Sequence, residues 1–337
     1  MDRDRPIGVF DSGVGGLSIL RALRAELPHE DFVYFSDAGH APYGEKGEAF
    51  VSNRSLAIAV DLLEQHRIKS LVVACNTATA AAVHLLRARH TQLPVIGVEP
   101  ALKPAAALSK TGRVCVLATR GTLSSAKFDA LLTSLRDQAD FVLVPCDGLA
   151  AAIESGDAAE IRALCRRYTV EVCCFGTGPG EIDTLVLGCT HYPFAADIFG
   201  ELLGPSIQLV ETGEPVARHT RRLLEAQDLL NPHGGGRVHW RTTGCAQALQ
   251  LAASRWLGLH ALAADAPAPI QLAAAAAAPA LSGLPPSFLS ASGGGTNAPA
   301  GIPQRLGRAR PQRRGISPDP PARMGRIPAL TRGPGFA

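Results

Sequence analysis

The sequence predicts an α/β fold of two pseudosymmetric halves, each built on a parallel sheet, with a functional site in the cleft between them. Three observations predict it. Apolar runs of strand length alternate with helix-length stretches along most of the chain. The runs are continuous rather than alternating, which marks parallel strands buried on both faces. Corresponding runs recur at offsets of about 105 to 115 residues, a spacing that points to an internal duplication.

In the first half, strands are expected at "IGVF" (7–10), "FVYF" (32–35), "LVVAC" (71–75) and "PVIGV" (94–98). Helical patterns fill about 15–26, 46–67 and 77–89. The second half repeats the order with "RVCVLA" (113–118), "FVLVP" (141–145), "TLVLGC" (184–189) and "IQLVE" (207–211). Its helices are expected near 122–137, 147–154, 157–176 and 214–229. The stretch 239–259 reads as a last strand and helix. Each half is thus flavodoxin-like, with ligand-facing loops at the carboxyl ends of its strands. Residues 265–337 are rich in Pro, Gly, Ala and Arg, without a period. Such a segment cannot bury enough apolar surface to offset ordering, and a disordered tail is expected there.

Composition narrows the function. The 337 residues are 46% hydrophobic and 5% aromatic, an ordinary make-up for cores of Ala, Leu, Val and Ile. The opening "MDRDRPIGVF" has no apolar signal core, and no run reaches the roughly 20 apolar residues of a membrane helix. A cytoplasmic protein with reduced thiols and no membrane partner is expected. The net charge of +3 is carried by the tail, whose eight arginines against two aspartates leave −3 for the first 264 residues. The folded part therefore offers no global case for nucleic acid. The eight cysteines form no C-x-x-C pair. Cys189 and His191 lack the second close pair that a tetrahedral metal site needs, so no metal is expected.

The chemistry gathers at strand ends. "LVVACNTAT" (71–79) and "LVLGCTHYP" (185–193) share one build: an apolar run, a small residue, a cysteine, then hydrogen-bonding residues. A lone cysteine there is usually a small core hydrophobe, but two at matching places read as a pair. In a duplicated fold with facing carboxyl edges, Cys75 and Cys189 come to opposite sides of one cleft. Two opposed thiols suit removal of a proton from one face of a carbon and its return to the other. A cysteine hydrolase would leave one thiol idle. A pyridoxal enzyme needs a Schiff-base lysine, and none of the five lysines lies in a phosphate-binding context. No cofactor is expected.

The loop "FDSGVGGLS" (10–18) begins G-x-G-x-x-G with Gly13 and Gly15, but position 18 is serine and Asp11 would repel phosphate. Asp11 suits an ammonium group or orients a neighbouring acid or base; an Asp–Ser turn capping the helix is the plainer alternative. In "HAPYGEKG", Tyr43 and Gly44 offer a hydroxyl and backbone N–H groups to a carboxylate. Asn76, Thr77, Thr119 and Thr190 add neutral donors at other strand ends.

"VFDSGVGGLS", "PYGEK", "ACNTA", "IGVEPALKPA", "VLATRGT" and "LGCTHYP", in that order, resemble the cofactor-independent glutamate racemases of bacteria over about residues 7–260. The resemblance implies interconversion of L- and D-glutamate, the D form supplying peptidoglycan synthesis, in a two-domain pseudosymmetric protein. The first domain would be 1–99 plus 208–264, the chain returning near 208, and the second 100–207. A homodimer is expected. By the same resemblance Cys75 handles the α-proton of D-glutamate and Cys189 that of L-glutamate. Asp11 would assist Cys75, while His191 and Glu154 would assist Cys189. Asp11, Ser12, Tyr43, Gly44, Asn76, Thr77, Thr190 and His191 fall on substrate-contacting motifs.

Two departures stand out. The family shows Asp-Ser where this chain has "VETGEP" (210–215), and Asp where it has Cys245; both bear on packing and dimer contacts. A racemase of aspartate shares the two-cysteine plan, although its relatives resemble "GCTE" rather than "GCTH". A solute-binding α/β module would also use two halves and a cleft, without needing both thiols.

Overall fold

The computed structural model describes residues 2–170 and 174–259; the expected tail at 265–337 lies outside them. Two parallel sheets organise the chain. The first holds β1 (Ile7–Asp11), β2 (Phe32–Ser36), β3 (Ser70–Val73), β4 (Val95–Gly97) and the late strand β9 (Val238–Thr242). The second holds β5 (Arg113–Ala118), β6 (Asp140–Pro145), β7 (Thr184–Leu187) and β8 (Gln208–Val210). Their orders are β4-β3-β1-β2-β9 and β6-β5-β7-β8, with every pairing parallel. Reversed, the second order is β8-β7-β5-β6, the first sheet's order without β9. The repeat read in the sequence is therefore a repeat of topology. In each half the winding direction reverses between the two central strands, where α/β sheets place ligands.

The strand runs are unbroken because both faces are covered. Val9, Tyr34 and Val72 pack on one side of the first sheet, beneath α1 (Leu17–Glu26), α10 (Gly213–Ala226) and α11 (Ala246–Leu257). Phe10, Val33, Leu71 and Val73 pack on the other, beneath α2 (Glu48–His66) and α3 (Asn76–Arg89). In the second sheet Val114, Val116 and Val186 face one core, while Cys115, Leu117, Leu185 and Leu187 face the other.

Four details depart from the expectation. Strand β8 pairs with β7 and lies in the second sheet, so the chain returns to the first half after Val210 rather than near 208. The return is made by α10, which lies so close on α1 that a Cβ on Gly213 would sit 3.1 Å from Ala22 Cβ. The helix expected at 122–137 is broken into α5 (Arg120–Leu123) and α6 (Ala126–Thr133), because Ser125 Oγ caps the second piece by accepting from Phe128 N at 3.2 Å. Helix α8 (Ala158–Val170) follows α7 (Leu149–Ser155), and Phe175 already bridges Ile182 in extended form where helix was expected to 176. Finally, α4 (Leu102–Leu108) and α9 (Ala196–Leu203) were not expected. The first is only two turns and carries Pro104 in its first turn, where proline is tolerated.

Candidate active site

Each thiol stands two residues past the end of the equivalent central strand, Cys75 after β3 and Cys189 after β7. Both are buried, and both line one pocket. Ser12, Gly44, Asn76, Thr77, Thr119 and Thr190 line it too, with His191 and Glu154. Strand ends of both halves thus converge on one cavity.

The two thiols differ in surroundings. Cys75 occupies the N-cap of α3, its sulfur accepting from Ala78 N at 3.5 Å, with Ser12 Oγ also at 3.5 Å. Burial, reinforced by the nearby Asp11 carboxylate, pushes the Cys75 thiol up to about 12 against the pull of those two bonds. Cys189 Sγ lies 3.6 Å from His191 Nδ1, and His191 Nε2 lies 2.6 Å from Glu154 Oε1. Val14 N donates to the same Glu154 oxygen at 2.6 Å. Burial alone would lower the His191 pKa; the bonds to Cys189 and Glu154 outweigh it and hold the imidazole well above its ordinary value. One side of the pocket therefore carries a thiol–imidazole–carboxylate chain, the other a thiol among neutral donors.

The glycine-rich loop explains itself at this point. A Cβ on Gly13 would fall 1.7 Å from Glu154 Oε1, and one on Gly15 would fall 2.2 Å from His191 Nδ1. The glycines admit the second half's Glu154 and His191 to the first half's loop, a close approach rather than a phosphate cradle. Ser18 Oγ completes the seam by donating to Thr190 O at 2.8 Å.

Asp11 and Tyr43 make other contacts in this structure. Asp11 is fully buried and does not line the pocket. Its Oδ2 accepts from Gly13 N at 3.0 Å and Gly16 N at 2.9 Å, so the turn-forming alternative holds for that oxygen. Oδ1 is buried without a hydrogen-bond partner, and burial raises the Asp11 pKa. The Tyr43 hydroxyl, expected to meet a carboxylate ligand, instead donates to Asp37 Oδ2 at 2.6 Å. The other neutral donors line the pocket. Thr77 Oγ1 and Thr119 Oγ1 meet across the halves at 3.1 Å. Asn76 Nδ2 reaches Val98 O at 3.4 Å, leaving a buried Oδ1 without a partner.

Cys146 and Asp37 were missed. Cys146 lines the pocket directly after β6; the strand-end position in "FVLVPC" was the available signal. Asp37 follows β2 as Asp11 closes β1. Among the described residues no group of three His, Cys, Asp or Glu side chains could hold a metal ion, and no helix is long and apolar enough to cross a membrane.

Residues 17–220 match the family described as Asp/Glu/hydantoin racemase. The chain is similar to a glutamate racemase of Methylococcus capsulatus, 47% identical over 261 residues that cover 76% of this chain and 94% of the relative. Among solved structures it is similar to glutamate racemase from Thermus thermophilus in complex with β-chloro-D-alanine, at 37% identity and a TM-score of 0.65. That likeness covers 79% of this chain and 98% of the other. A glutamate racemase from Francisella tularensis, in complex with D-glutamate, matches at 26% identity and a TM-score of 0.67 over the same shares of the two chains.

Proposed function

The chain belongs to the Asp/Glu/hydantoin racemase family, and we propose that it interconverts L- and D-glutamate without a cofactor, by proton transfer between two thiols. The observation that carries this reading is the placement of Cys75 and Cys189 at equivalent strand ends of two duplicated halves, around one pocket. From L-glutamate, Cys189 as thiolate takes the α-proton, and the Cys75 thiol gives its proton to the opposite face of the carbanion. The enzyme is left with a Cys189 thiol and a Cys75 thiolate, which is the state that accepts D-glutamate. Exchange with solvent resets it. The His191–Glu154 pair serves Cys189. Asp11 serves Cys75 through the field of its buried carboxyl.

The α-proton is far less acidic than a thiol, and each unmatched pKa unit costs about 1.36 kcal/mol. Carbanion-like charge must therefore be met by donors already in place. Ser12, Asn76, Thr77, Thr119 and Thr190, with the backbone at Tyr43 and Gly44, form the set that would hold the substrate. The product D-glutamate would supply peptidoglycan synthesis. A cytoplasmic location and a homodimer complete the proposal.

Purified protein with L-glutamate and no added cofactor should lose optical rotation. In heavy water, early D-glutamate should carry deuterium while recovered L-glutamate stays largely unlabelled, and Cys75→Ala or Cys189→Ala should abolish racemisation. Early product that keeps the substrate's own hydrogen would mean one base serving both faces, and the two-thiol reading would fail.

A further inference from the structure

The Asp37 carboxylate is fully buried and takes donors from three segments of chain. Arg54 of α2 donates to both oxygens, Nε to Oδ2 at 3.0 Å and Nη2 to Oδ1 at 2.5 Å. The Tyr43 hydroxyl donates to Oδ2 at 2.6 Å, and Thr243 Oγ1, from the turn after β9, donates to Oδ1 at 2.8 Å. His40 Nδ1 stands 3.0 Å from Oδ1. Arg54 is itself only 3% exposed, so this is a bidentate charge pair out of water.

What the hub holds is the wall of the pocket. Ala41, Pro42, Tyr43, Gly44 and Glu45 all line the cavity, and they begin four positions after Asp37 in the chain. The segment also abuts the second half. A Cβ on Gly44 would fall 2.9 Å from Thr119 Cβ, and one on Gly121 would fall 3.0 Å from Gly44 O. The segment is thus pinned between the buried carboxylate and the turn that opens α5. No part of Asp37 itself lines the pocket.

We propose that Asp37, with Arg54, is a positioning residue that fixes segment 41–45 as a wall of the pocket, and so sets affinity for glutamate without touching the reacting atoms. The inference rests on the glutamate-racemising function proposed above. The hub's hydrogen bonds reach none of Cys189, His191 and Glu154. Its loss should therefore weaken binding of both enantiomers equally and leave the proton transfers nearly intact.

The test compares wild type with Thr243→Val, which keeps the shape and drops one bond to Asp37, and with Arg54→Lys, which keeps the charge and loses the fork. KM for L- and for D-glutamate should rise about tenfold in each, the effect of one charge-assisted hydrogen bond, with kcat within about threefold. The thermal stabilisation by added D-glutamate should shrink in parallel. Lower melting temperature with unchanged KM would overturn the proposal and leave the hub a structural bond. A fall in kcat at unchanged KM would overturn it too. Should Arg54→Lys not fold, Thr243→Val alone decides. Wild-type protein that fails to racemise glutamate would instead refute the function, before either variant is compared.

Discussion

His191 sits between a thiol and a carboxylate, with Cys189 Sγ at 3.6 Å and Glu154 Oε1 at 2.6 Å. Its pKa is raised well above the ordinary imidazole value despite burial. A raised folded-state pKa favours the protonated ring. The stability it contributes is present in full below the unfolded pKa of about 6.5 and is lost as pH rises through the folded value. Glu154→Gln removes the carboxylate charge, so the His191 titration, followed by NMR of the ring protons, should move down toward the ordinary value. Activity should fall by about a hundredfold, the lower end of what a general acid–base partner contributes. Because L- and D-glutamate are isoenergetic, kcat/KM must fall by one factor in both directions. The asymmetry should show in the α-deuterium isotope effect, which should grow more from the L side, where Cys189 takes the proton. An unmoved His191 titration, or equal growth from both sides, would count against the assigned chain.

The elements carry the two departures from the family motifs. Cys245 is the N-cap residue of α11, with extended backbone, and its side chain makes no capping bond. The helix N-terminus thus lacks the side-chain acceptor that aspartate would supply. Cys245→Asp should stabilise the protein by about 0.5–2 kcal/mol, read as a rise in the urea midpoint at constant slope. No rise would mean that the α11 terminus is already satisfied or unfolds separately. At the other departure, Thr212 is buried and Glu211 Oε2 lies 3.7 Å from Arg21 Nη2. Burial raises the Glu211 pKa, and Arg21 opposes the rise. This pair joins the start of α10 to α1, the contact by which the chain returns to the first half.

At the scale of the molecule, the chain passes between the halves twice, after β4 and after β8. Asp183, just before β7, pins the first passage. Its carboxylate accepts from Ser109 Oγ at 2.6 Å, Lys110 N at 2.7 Å, Thr111 N at 3.0 Å and Thr184 Oγ1 at 2.9 Å. Burial would raise its pKa, but these bonds bring it down to about 2. A depressed carboxylate contributes stability above its unfolded pKa of about 3.9 and loses it as pH falls through the folded value. The melting temperature should therefore drop between about pH 4 and pH 2, and Asp183→Asn should flatten that part of the curve. A slope unchanged by the substitution would place the acid sensitivity elsewhere.

The sequence by itself determined the alternation of strand and helix, the duplication, and the two thiols at matching strand ends. All of these are local: burial of a parallel strand on both faces writes an apolar run into consecutive residues, and the residue after that run is where a side chain reaches the ligand edge. It also made Glu154 and His191 candidates through their motifs. Only the tertiary structure decided which partners the side chains take. Val14 N meets Glu154 across 140 positions, and Thr243 meets Asp37 across 206. The Tyr43 hydroxyl turns from the pocket to Asp37 because a buried carboxylate attracts every donor that the fold brings within reach. No period in the sequence records such pairings, since they depend on what packing brings together from distant parts of the chain.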